Sequence, residues 1–214
     1  MSTAIIDYGA GNLRSVEKAL LSLGETPVIT GVPEEILRAD RIILPGVGAF
    51  GDAMEHLRQR GLDQVIRQAA GENIPFLGIC LGLQLLFERS EEATGTEGLG
   101  ILKGEILRIP QAPGLKIPHM GWNDLTFNHP GRLFAEIPEH TYVYFVHSYY
   151  LKAADEAIVT ASTHYSTWIH ASVEQGNVFA CQFHPEKSGK WGLKLLENFI
   201  RIQRGEEGKE GPGC

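Results

Sequence analysis

The stretch Pro75–Phe87, which reads PFLGICLGLQLLF, decides the fold. The apolar run PFLGI leads to Cys80, which stands between Gly78 and Gly82 in the pattern G-x-C-x-G, and a helix predicted to end near Arg89 follows. This is the pattern of a nucleophile elbow, with cysteine in the place of serine. Glycine on each side removes the Cβ atoms that would clash where a strand turns sharply into a helix. The Cys80 thiol is therefore predicted to stand at a helix N-terminus, where backbone N–H groups favour a thiolate.

Cys80 has a second interpretation, as a small buried hydrophobic residue, which is what a lone cysteine in an apolar strand usually is. The two glycines at this spacing, after a strand and before a helix, favour the elbow instead. An elbow cysteine needs a base and a group that orients the base, and the rest of the chain has to supply both.

The composition is that of an ordinary globular protein. The chain has 214 residues, 43% hydrophobic and 21% charged, which suits one large domain or two small ones. A formal charge of -7 argues against a general nucleic-acid binder, which needs a basic face. No apolar run reaches transmembrane length, and the start MSTAIIDYGAGN lacks the basic region of a signal peptide. We expect a cytoplasmic protein.

The three cysteines, Cys80, Cys181 and Cys214, include no C-x-x-C pair. An odd number without close spacing indicates neither a disulfide framework nor a zinc site. We therefore expect a reducing compartment, and the sequence predicts neither a metal ion nor an organic cofactor.

The residues before Ser90 alternate between short apolar runs and amphipathic segments. This rhythm predicts an α/β fold with a doubly wound, mainly parallel sheet, in which ligands collect at the carboxyl ends of the strands. The predicted strands are Thr3–Asp7, Pro27–Thr30, Arg41–Leu44 and the run before the elbow, and the predicted helices are Leu13–Leu23, Pro33–Ala39 and Phe50–Gly71, with a break at Gly61.

After Ser90 the sequence pattern changes to short β-like runs separated by Pro and Gly. These runs predict an antiparallel extension of the same domain. A buried strand, Asn177–Phe183, and an amphipathic helix, Trp191–Ile202, complete it. We expect residues 1–204 to form a single domain and residues 205–214 to form a flexible C-terminal tail. The β-like runs are Gly104–Ile109, Trp122–Phe127, Thr141–Leu151, Ala157–Ala161 and Trp168–Val173.

Two glycine-containing turns follow predicted strands. The segment YGAGN at 8–12 has only the G-x-G part of a dinucleotide loop, so we interpret it as a tight turn that presents Asn12 at the surface. In the segment PGVG at 45–48, two glycines let the backbone approach a ligand or aim a peptide N–H at it. An ordinary loop between a strand and a helix explains the second turn equally well.

The His-Pro-Glu segment after the last predicted strand supplies the best partners for Cys80. Residues two apart in an extended segment face the same way, so Gln182, His184 and Glu186 are predicted to project together while Cys181 points into the core. A histidine facing a thiol, with a carboxylate behind it, is the arrangement of nucleophile, base and orienting group. His184 would take the proton of Cys80 and later donate one to a leaving amine, and Glu186 would hold the tautomer.

Three further groups near Cys80 are candidates for binding a substrate. Gln84 lies one helical turn beyond Cys80 on the same face, so its amide suits a polar substrate group, although an exposed helix residue is the alternative. The N–H of Leu81 is the usual first oxyanion donor. The N–H of Val47, between two glycines, is a candidate for the second.

Together these residues resemble the class I glutamine amidotransferases. The family's elbow, G-x-C-x-G-x-Q, stands here at 78–84, and its downstream H-P-E stands at 184–186, in the expected order. The resemblance implies a three-layer α/β sandwich that hydrolyses glutamine to glutamate and ammonia through a thioester. The triad it implies is Cys80, His184 and Glu186.

Within that family the chain is most similar to glutaminase subunits that pass ammonia to a (β/α)8-barrel cyclase in histidine biosynthesis. The matching segments, YGAGN at 8–12, PGVGAF at 45–50, PHMGWN at 118–123, YFVHSY at 144–149 and QFHPEKS at 182–188, span nearly the whole chain. The similarity implies a heterodimer with that cyclase, and it implies that the Val47 peptide must flip before its N–H faces the oxyanion. Our hypothesis is that the partner and its nucleotide ligand favour this flip and so activate the glutaminase. The residues assigned to stabilising the oxyanion are Leu81, Val47 and Gly48. The residues assigned to binding the substrate are Gln84, Gly46, Ser148 and Tyr149. The residues assigned to the partner interface are Asn12, Trp122, Tyr144 and Lys187.

Three alternatives remain open. A glutaminase subunit of another pathway shares this fold, but the PHMGWN segment argues against it. A free-standing cysteine hydrolase needs neither a partner nor a glutamine pocket, so Gln84 and the segment Ser148–Tyr149 distinguish it. A non-catalytic binding module is disfavoured because all three triad residues are intact.

Overall fold

The structure is a computed structural model that describes residues 2–205, and it shows a mixed sheet with helices on both faces. The helices are α1 (Leu13–Ser22), α2 (Pro33–Arg38), α3 (Phe50–Gln59), α4 (Leu62–Gly71), α5 (Leu81–Leu85) and α6 (Gly189–Arg201). The strands are β1 (Thr3–Ile6), β2 (Val28–Thr30), β3 (Arg41–Gly46), β4 (Phe76–Cys80), β5 (Arg89–Ser90), β6 (Gly104–Arg108), β7 (His119–Asp124), β8 (Thr126–Phe127), β9 (Tyr142–His147), β10 (Tyr149–Ala153), β11 (Val159–Tyr165), β12 (Thr167–Gln175) and β13 (Val178–Cys181).

The N-terminal half forms the parallel part of the sheet, as the sequence predicted. The strands lie in the order β2-β1-β3-β4 and run parallel, and β13 returns from the C-terminal half to lie parallel to β4. Because β4 and β13 are neighbours with the same direction, the residues that follow them leave the sheet at the same edge. Cys80 and His184, far apart in sequence, are brought together in this way.

Both faces of the parallel strands are buried, which explains their nearly continuous apolar sequences. On one face, Ile42 and Phe76 pack among residues of α2, α3 and α4. On the other face, Ile43 and Leu77 pack among residues of α1 and α6. Neighbouring residues of one strand thus point into opposite cores, and the three layers are helices, sheet and helices.

The C-terminal half adds antiparallel strands, as predicted, but the predicted strand Thr141–Leu151 is wrong as a single strand. β10 pairs with β6 and β12 in the main sheet, whereas β9 pairs with β7 in a separate two-stranded sheet, which we call the ribbon. The chain therefore has to leave one sheet and enter the other at Ser148. This break between β9 and β10 forms one wall of the site described below.

Other predicted boundaries are corrected in the same half of the chain. The predicted strand Trp122–Phe127 begins earlier, at His119, and is divided into β7 and β8, because β8 pairs with β11 instead of with β9. The predicted strand Ala157–Ala161 is the end of a 3-10 turn, Glu156–Ile158, followed by β11. Local composition indicates extended structure in these runs, but the choice of partner strand determines where each one stops.

The helices confirm one predicted boundary and correct another. Gly61 separates α3 from α4 with a φ of 66°, as the predicted break required. The helix after the elbow ends at Leu85 instead of near Arg89. The chain turns there because the carbonyl of Leu85 accepts from the N–H of Leu99 and because Arg89 already belongs to β5.

Of the predicted tail, 205–214, only Gly205 belongs to the described residues, and the remainder lies outside them. Within residues 2–205, none of the helices combines the length and the apolar character that crossing a membrane requires.

Candidate active site

Cys80 occupies a sharp turn between β4 and α5, as the elbow pattern predicts. Its φ of 56° and ψ of -108° lie in a region that residues with a side chain rarely adopt. An ideal Cβ on Gly78 would lie 2.7 Å from the carbonyl oxygen of Gly82, and one on Gly82 would overlap the carbonyl oxygen of Leu44. The close approach of the backbone therefore requires both glycines, and it holds the thiol in place with Cys80 only 7% exposed.

His184 and Glu186 form a buried pair next to this turn. His184 Nδ1 lies 2.8 Å from Glu186 Oε1, and the two side chains are 2% and 1% exposed. His184 Nε2 is buried and has no hydrogen-bond partner among the described residues, which leaves it available on the side of Cys80. Burial opposes a charge on His184, but the neighbouring Cys80 and Glu186 outweigh burial and raise the His184 pKa to about 9.

Replacing Glu186 with glutamine is expected to weaken the pH dependence of stability. Folding raises the pKa of His184 from 6.5 to about 9, so the protonated ring favours the folded state. This contribution to the free energy of unfolding is fully present below pH 6.5 and is lost as the pH rises through 9. For His184 it amounts to about 3 kcal/mol. Urea unfolding at pH 6 and pH 9.5 measures the difference, which we expect to be smaller in Glu186→Gln because Cys80 alone then supports the charge. If the free energy of unfolding changed with pH equally in the wild type and in Glu186→Gln, Glu186 would not be what raises the His184 pKa.

Gln182 and Gln84 connect the nucleophile to the wall of the site. Gln182 Nε2 donates to Cys80 Sγ over 3.7 Å, and Gln182 Oε1 accepts from Gln84 Nε2 at 3.0 Å. Gln84 also donates to the Tyr149 carbonyl at 3.1 Å and is 5% exposed, so the alternative of an exposed helix residue is wrong. Since both amide hydrogens of Gln84 are donated, its Oε1 is the atom left to accept from a ligand. Cys181 lies in the core, as predicted.

A cavity of about 370 Å³ opens beside the sulfur. Gly46 lies behind its wall, where an ideal Cβ would approach Leu81 Cβ to 2.8 Å and Tyr8 Oη to 2.9 Å. The other predicted substrate and oxyanion residues line the cavity together with two of the triad residues. These lining residues are Cys80, His184, Leu81, Val47, Gly48, Gln84, Ser148 and Tyr149.

The two candidate oxyanion donors come from the ends of neighbouring strands. Gly46, the last residue of β3, is the register partner of Cys80 at the end of β4, so Val47 follows beside Leu81. Leu81 begins α5, and its N–H therefore has no partner within the helix. Gly48 has a φ of 103°, which strongly favours glycine, and Val47 is 42% exposed. The Val47 peptide thus lies at the solvent edge of the site, next to a residue with unusual backbone freedom.

Glu92 and Tyr8 are among the residues at the site that were missed by reasoning from the sequence. The Glu92 carboxylate lines the cavity and accepts from the N–H of Phe50 at 2.8 Å, at the start of α3. Tyr8 is fully buried, and its hydroxyl has no partner among the described residues; burial and the neighbouring Cys80 raise the pKa of the hydroxyl. Glu92 lies in a polar run and Tyr8 in a glycine turn, so neither carries a local signal of function.

Three of the four residues assigned to a partner interface lie together on the ribbon and the turn after β13. Trp122 is 55% exposed and meets the ring of Tyr144 edge-on with 6.1 Å between centroids. Lys187 Nζ lies 5.9 Å from the Tyr144 ring centroid. The N–H of His184 donates to the Tyr144 carbonyl, so this surface is bonded directly to the segment that carries His184 and Glu186. Asn12 lies elsewhere, at the start of α1.

Comparison of the chain with known proteins identifies the family to which this fold and site belong. A family model described as "Glutamine amidotransferase class-I" matches residues 4–202, and the chain belongs to this family of enzymes. The imidazole glycerol phosphate synthase subunit HisH of Moorella thermoacetica is 53% identical over 94% of this chain and 95% of that protein. The subunit of the same name from Aquifex aeolicus is 52% identical over 94% and 97%. Within the amidotransferases, the chain belongs with these HisH subunits.

Solved structures agree on the fold. A crystal structure titled as a glutamine amidotransferase has a TM-score of 0.72 and 22% identity, over 92% of this chain and 97% of that one. The structure of PurLQS from Thermotoga maritima has a TM-score of 0.73 and 24% identity, over 94% and 97%. The predicted fold, a mainly parallel α/β sandwich with an antiparallel extension, is confirmed.

Proposed function

We propose that this chain hydrolyses glutamine to glutamate and ammonia with Cys80 as the nucleophile. The observation that carries the proposal is the Cys80 thiol in its elbow, beside the buried His184–Glu186 pair and open to a cavity. The thiolate attacks the side-chain amide carbon, His184 donates a proton to the leaving ammonia, and a thioester remains. His184 then takes a proton from water, which attacks the thioester and releases glutamate.

The other groups of the site have binding roles in this proposal. The N–H groups of Leu81 and Val47, the latter assisted by Gly48, hold the oxyanion of the tetrahedral intermediates. The acceptor atoms in the cavity, Gln84 Oε1 and the Glu92 carboxylate, are complementary to the nitrogen groups of glutamine. The segment Ser148–Tyr149 holds the rest of the substrate, and Gly46 keeps the wall behind it close to Leu81.

Ammonia made here passes, in our proposal, to a cyclase subunit with a (β/α)8 barrel. The shared name of the relatives describes a subunit of a synthase, and the products of the complex would be imidazole glycerol phosphate and aminoimidazole carboxamide ribonucleotide. Trp122, Tyr144 and Lys187, together with Asn12, would face the partner. We propose a cytoplasmic heterodimer in which residues 1–204 act as one amidotransferase domain.

Glutamate release from glutamine tests the proposal directly. It is measured for the chain alone, with the cyclase subunit, and with the cyclase subunit and its nucleotide ligand. We expect little activity alone and a large rise in the complete mixture. Full activity without a partner would indicate a free-standing hydrolase, and no activity in any mixture would refute the proposed substrate or partner.

Replacing Gly48 with alanine is expected to lower the partner-stimulated rate about a hundredfold, the usual effect of losing an oxyanion donor. Apart from its two chain neighbours, none of the described residues has an atom within 4 Å of the added Cβ, so the change acts through the φ of 103°, which alanine disfavours. The matched control is Gly114→Ala, which has a φ of 79° and equally open space but does not line the cavity. Unchanged basal and stimulated rates in Gly48→Ala would refute the role of this peptide.

A further inference from the structure

Two buried histidines that the proposed mechanism does not use lie in the ribbon, at the end next to the cavity. His119 begins β7, His147 ends β9, and the two are register partners. They are 3% and 6% exposed, and His119 Nδ1 lies 3.0 Å from His147 Nε2. His147 lines the cavity, and its Nδ1 lies 2.8 Å from the carbonyl oxygen of Tyr149.

The partners of the two rings determine where their protons are. A carbonyl oxygen only accepts, so the Nδ1 of His147 carries hydrogen and donates to Tyr149. Burial, together with the neighbouring His119 and His184, lowers the pKa of His147 to about 3, so the ring is neutral and its Nε2 accepts. His119 Nδ1 must therefore carry hydrogen and donate to His147. Burial likewise lowers the pKa of His119 to about 4, which keeps this ring neutral as well.

This bond is part of a longer chain of hydrogen bonds that reaches the nucleophile. The Tyr149 carbonyl accepts from both His147 and Gln84, and Gln84 donates in turn to Gln182, which donates to Cys80 Sγ. The bonds before the sulfur measure 2.8 to 3.1 Å. A shift of the His147 ring would therefore move the acceptor that fixes the Gln84 amide beside the sulfur.

The other end of the chain lies in the ribbon. Asn123 Nδ2, which donates to the His164 carbonyl at 3.0 Å, lies 3.5 Å from His119 Nε2. Two large apolar side chains on the same strand as His119 are strongly exposed, Met120 by 62% and Trp122 by 55%. The ribbon is hydrogen-bonded as a sheet of its own, so side-chain links of this kind, together with the bond from the His184 N–H to the Tyr144 carbonyl, set its position relative to the cavity.

We propose that His119 and His147 are positioning residues, which hold the Tyr149 carbonyl and the Gln84 amide in the arrangement that binds glutamine. The inference rests on the proposed glutaminase function. Through the two rings, the position of the ribbon sets the geometry of the glutamine pocket, while neither ring exchanges a proton with the substrate.

Two variants of His119 separate this role from simple packing. The His119 ring is stacked between Phe145 and Tyr165, with centroid distances of 4.8 and 3.9 Å. His119→Phe keeps an aromatic ring in the stack but leaves His147 Nε2 buried without its donor. His119→Asn loses the stack but carries an amide N–H close to the place of Nδ1. If His119 acts by positioning His147, His119→Asn should bind glutamine better than His119→Phe. If His119 acts only by packing, His119→Phe should be the better of the two.

Glutaminase kinetics with the cyclase subunit decide between the two roles, with wild type measured in every series. We expect His119→Phe to raise the KM for glutamine about tenfold, the usual effect of leaving a buried acceptor unsatisfied, with kcat changed less than about threefold. His119→Asn should stay within about threefold of the wild-type KM in spite of a lower melting temperature. A wild-type KM in His119→Phe, or a higher KM in His119→Asn than in His119→Phe, would overturn the proposal.

A second measurement tests the chain of hydrogen bonds whether or not the chain hydrolyses glutamine. Imidazole ¹⁵N shifts of the chain alone report the tautomer of each ring. We expect both His119 and His147 to be neutral and protonated on Nδ1 from pH 5 to pH 8. Protonation of His147 on Nε2 would refute the chain of hydrogen bonds. An inactive wild type with the expected tautomers would refute the glutaminase proposal and with it the glutamine-binding role of the histidines.

Discussion

Replacing Cys80 with alanine is expected to lower glutamine hydrolysis about a millionfold, to the limit of detection. In the proposed mechanism the Cys80 sulfur is the atom that forms the thioester, and the elbow offers no other nucleophile at that point. His184 and Glu186 would remain in place but would have no sulfur from which to take a proton. The measurement is glutamate release in the presence of the cyclase subunit and its nucleotide ligand, where the wild-type rate is highest.

The matched control is Cys181→Ala, because the described residues contain a second free cysteine on the neighbouring strand β13. Its thiol is fully buried, and burial raises its pKa well above the usual range, so it is not a candidate nucleophile. We expect this variant to keep most of the glutaminase activity and to lose some stability through the cavity it creates.

Added ammonium salt supplies a further control, since it replaces the product of the glutaminase. With Cys80→Ala present, the cyclase subunit should then still carry out its synthesis, which would show that the mixture lacks only the ammonia that Cys80 would release. Measurable glutamine hydrolysis in Cys80→Ala, or its loss in Cys181→Ala, would contradict the assignment of the nucleophile.

The elbow and its partners are predictable from the sequence because their determinants are local. Gly78 and Gly82 flank the cysteine within five residues, and the alternation of an extended segment is enough to place Gln182 and His184 on one side and Cys181 on the other. The predicted extended conformation is wrong for Glu186, which lies in the 3-10 turn Pro185–Lys187. The elbow and the His-Pro-Glu segment come together if the two parallel strands that precede them are neighbours. In the structure these strands are β4 and β13.

The remaining features of the site depend on contacts between segments that are distant in sequence. The run from Thr141 to Leu151 is uniformly rich in strand-forming residues, so composition cannot reveal that the strand changes sheets at Ser148. Glu92 follows β5, which is held parallel to β6, and the bond from the Phe50 N–H to its carboxylate joins segments far apart in the chain. The pairing of His119 with His147 likewise follows from the register of β7 and β9.

The elbow also links the chemistry to the stability of the fold. The conformation of Cys80 is one that side chains disfavour, and such strain persists only where the surrounding structure over-determines it. Here the surroundings are the backbone of β3 on one side and the first turn of α5 on the other, which meet without an intervening side chain at Gly82. A residue that never touches substrate therefore controls whether the nucleophile is held in place.

Replacing Gly82 with alanine is accordingly expected to destabilise the protein by at least about 3 kcal/mol, the upper range for overpacking. The added Cβ would overlap the carbonyl oxygen of Leu44, and backbone cannot yield as the end of a flexible side chain can. Either β3 or α5 has to move. Both carry groups of the site, Val47 after β3 and Leu81 in α5, so glutaminase activity should fall with stability.

The comparison variant is Gly71→Ala, at the end of α4, where no atom lies within 4 Å of the added Cβ. Its stability should be unchanged or higher by up to about 1 kcal/mol, because alanine favours a helix over glycine. Urea unfolding of both variants at one pH separates the effect of steric overlap from that of losing a glycine. If Gly82→Ala unfolded at the wild-type midpoint, β3 and α5 would have room to separate, and the close approach of their backbones would not be what holds Cys80 in its strained turn.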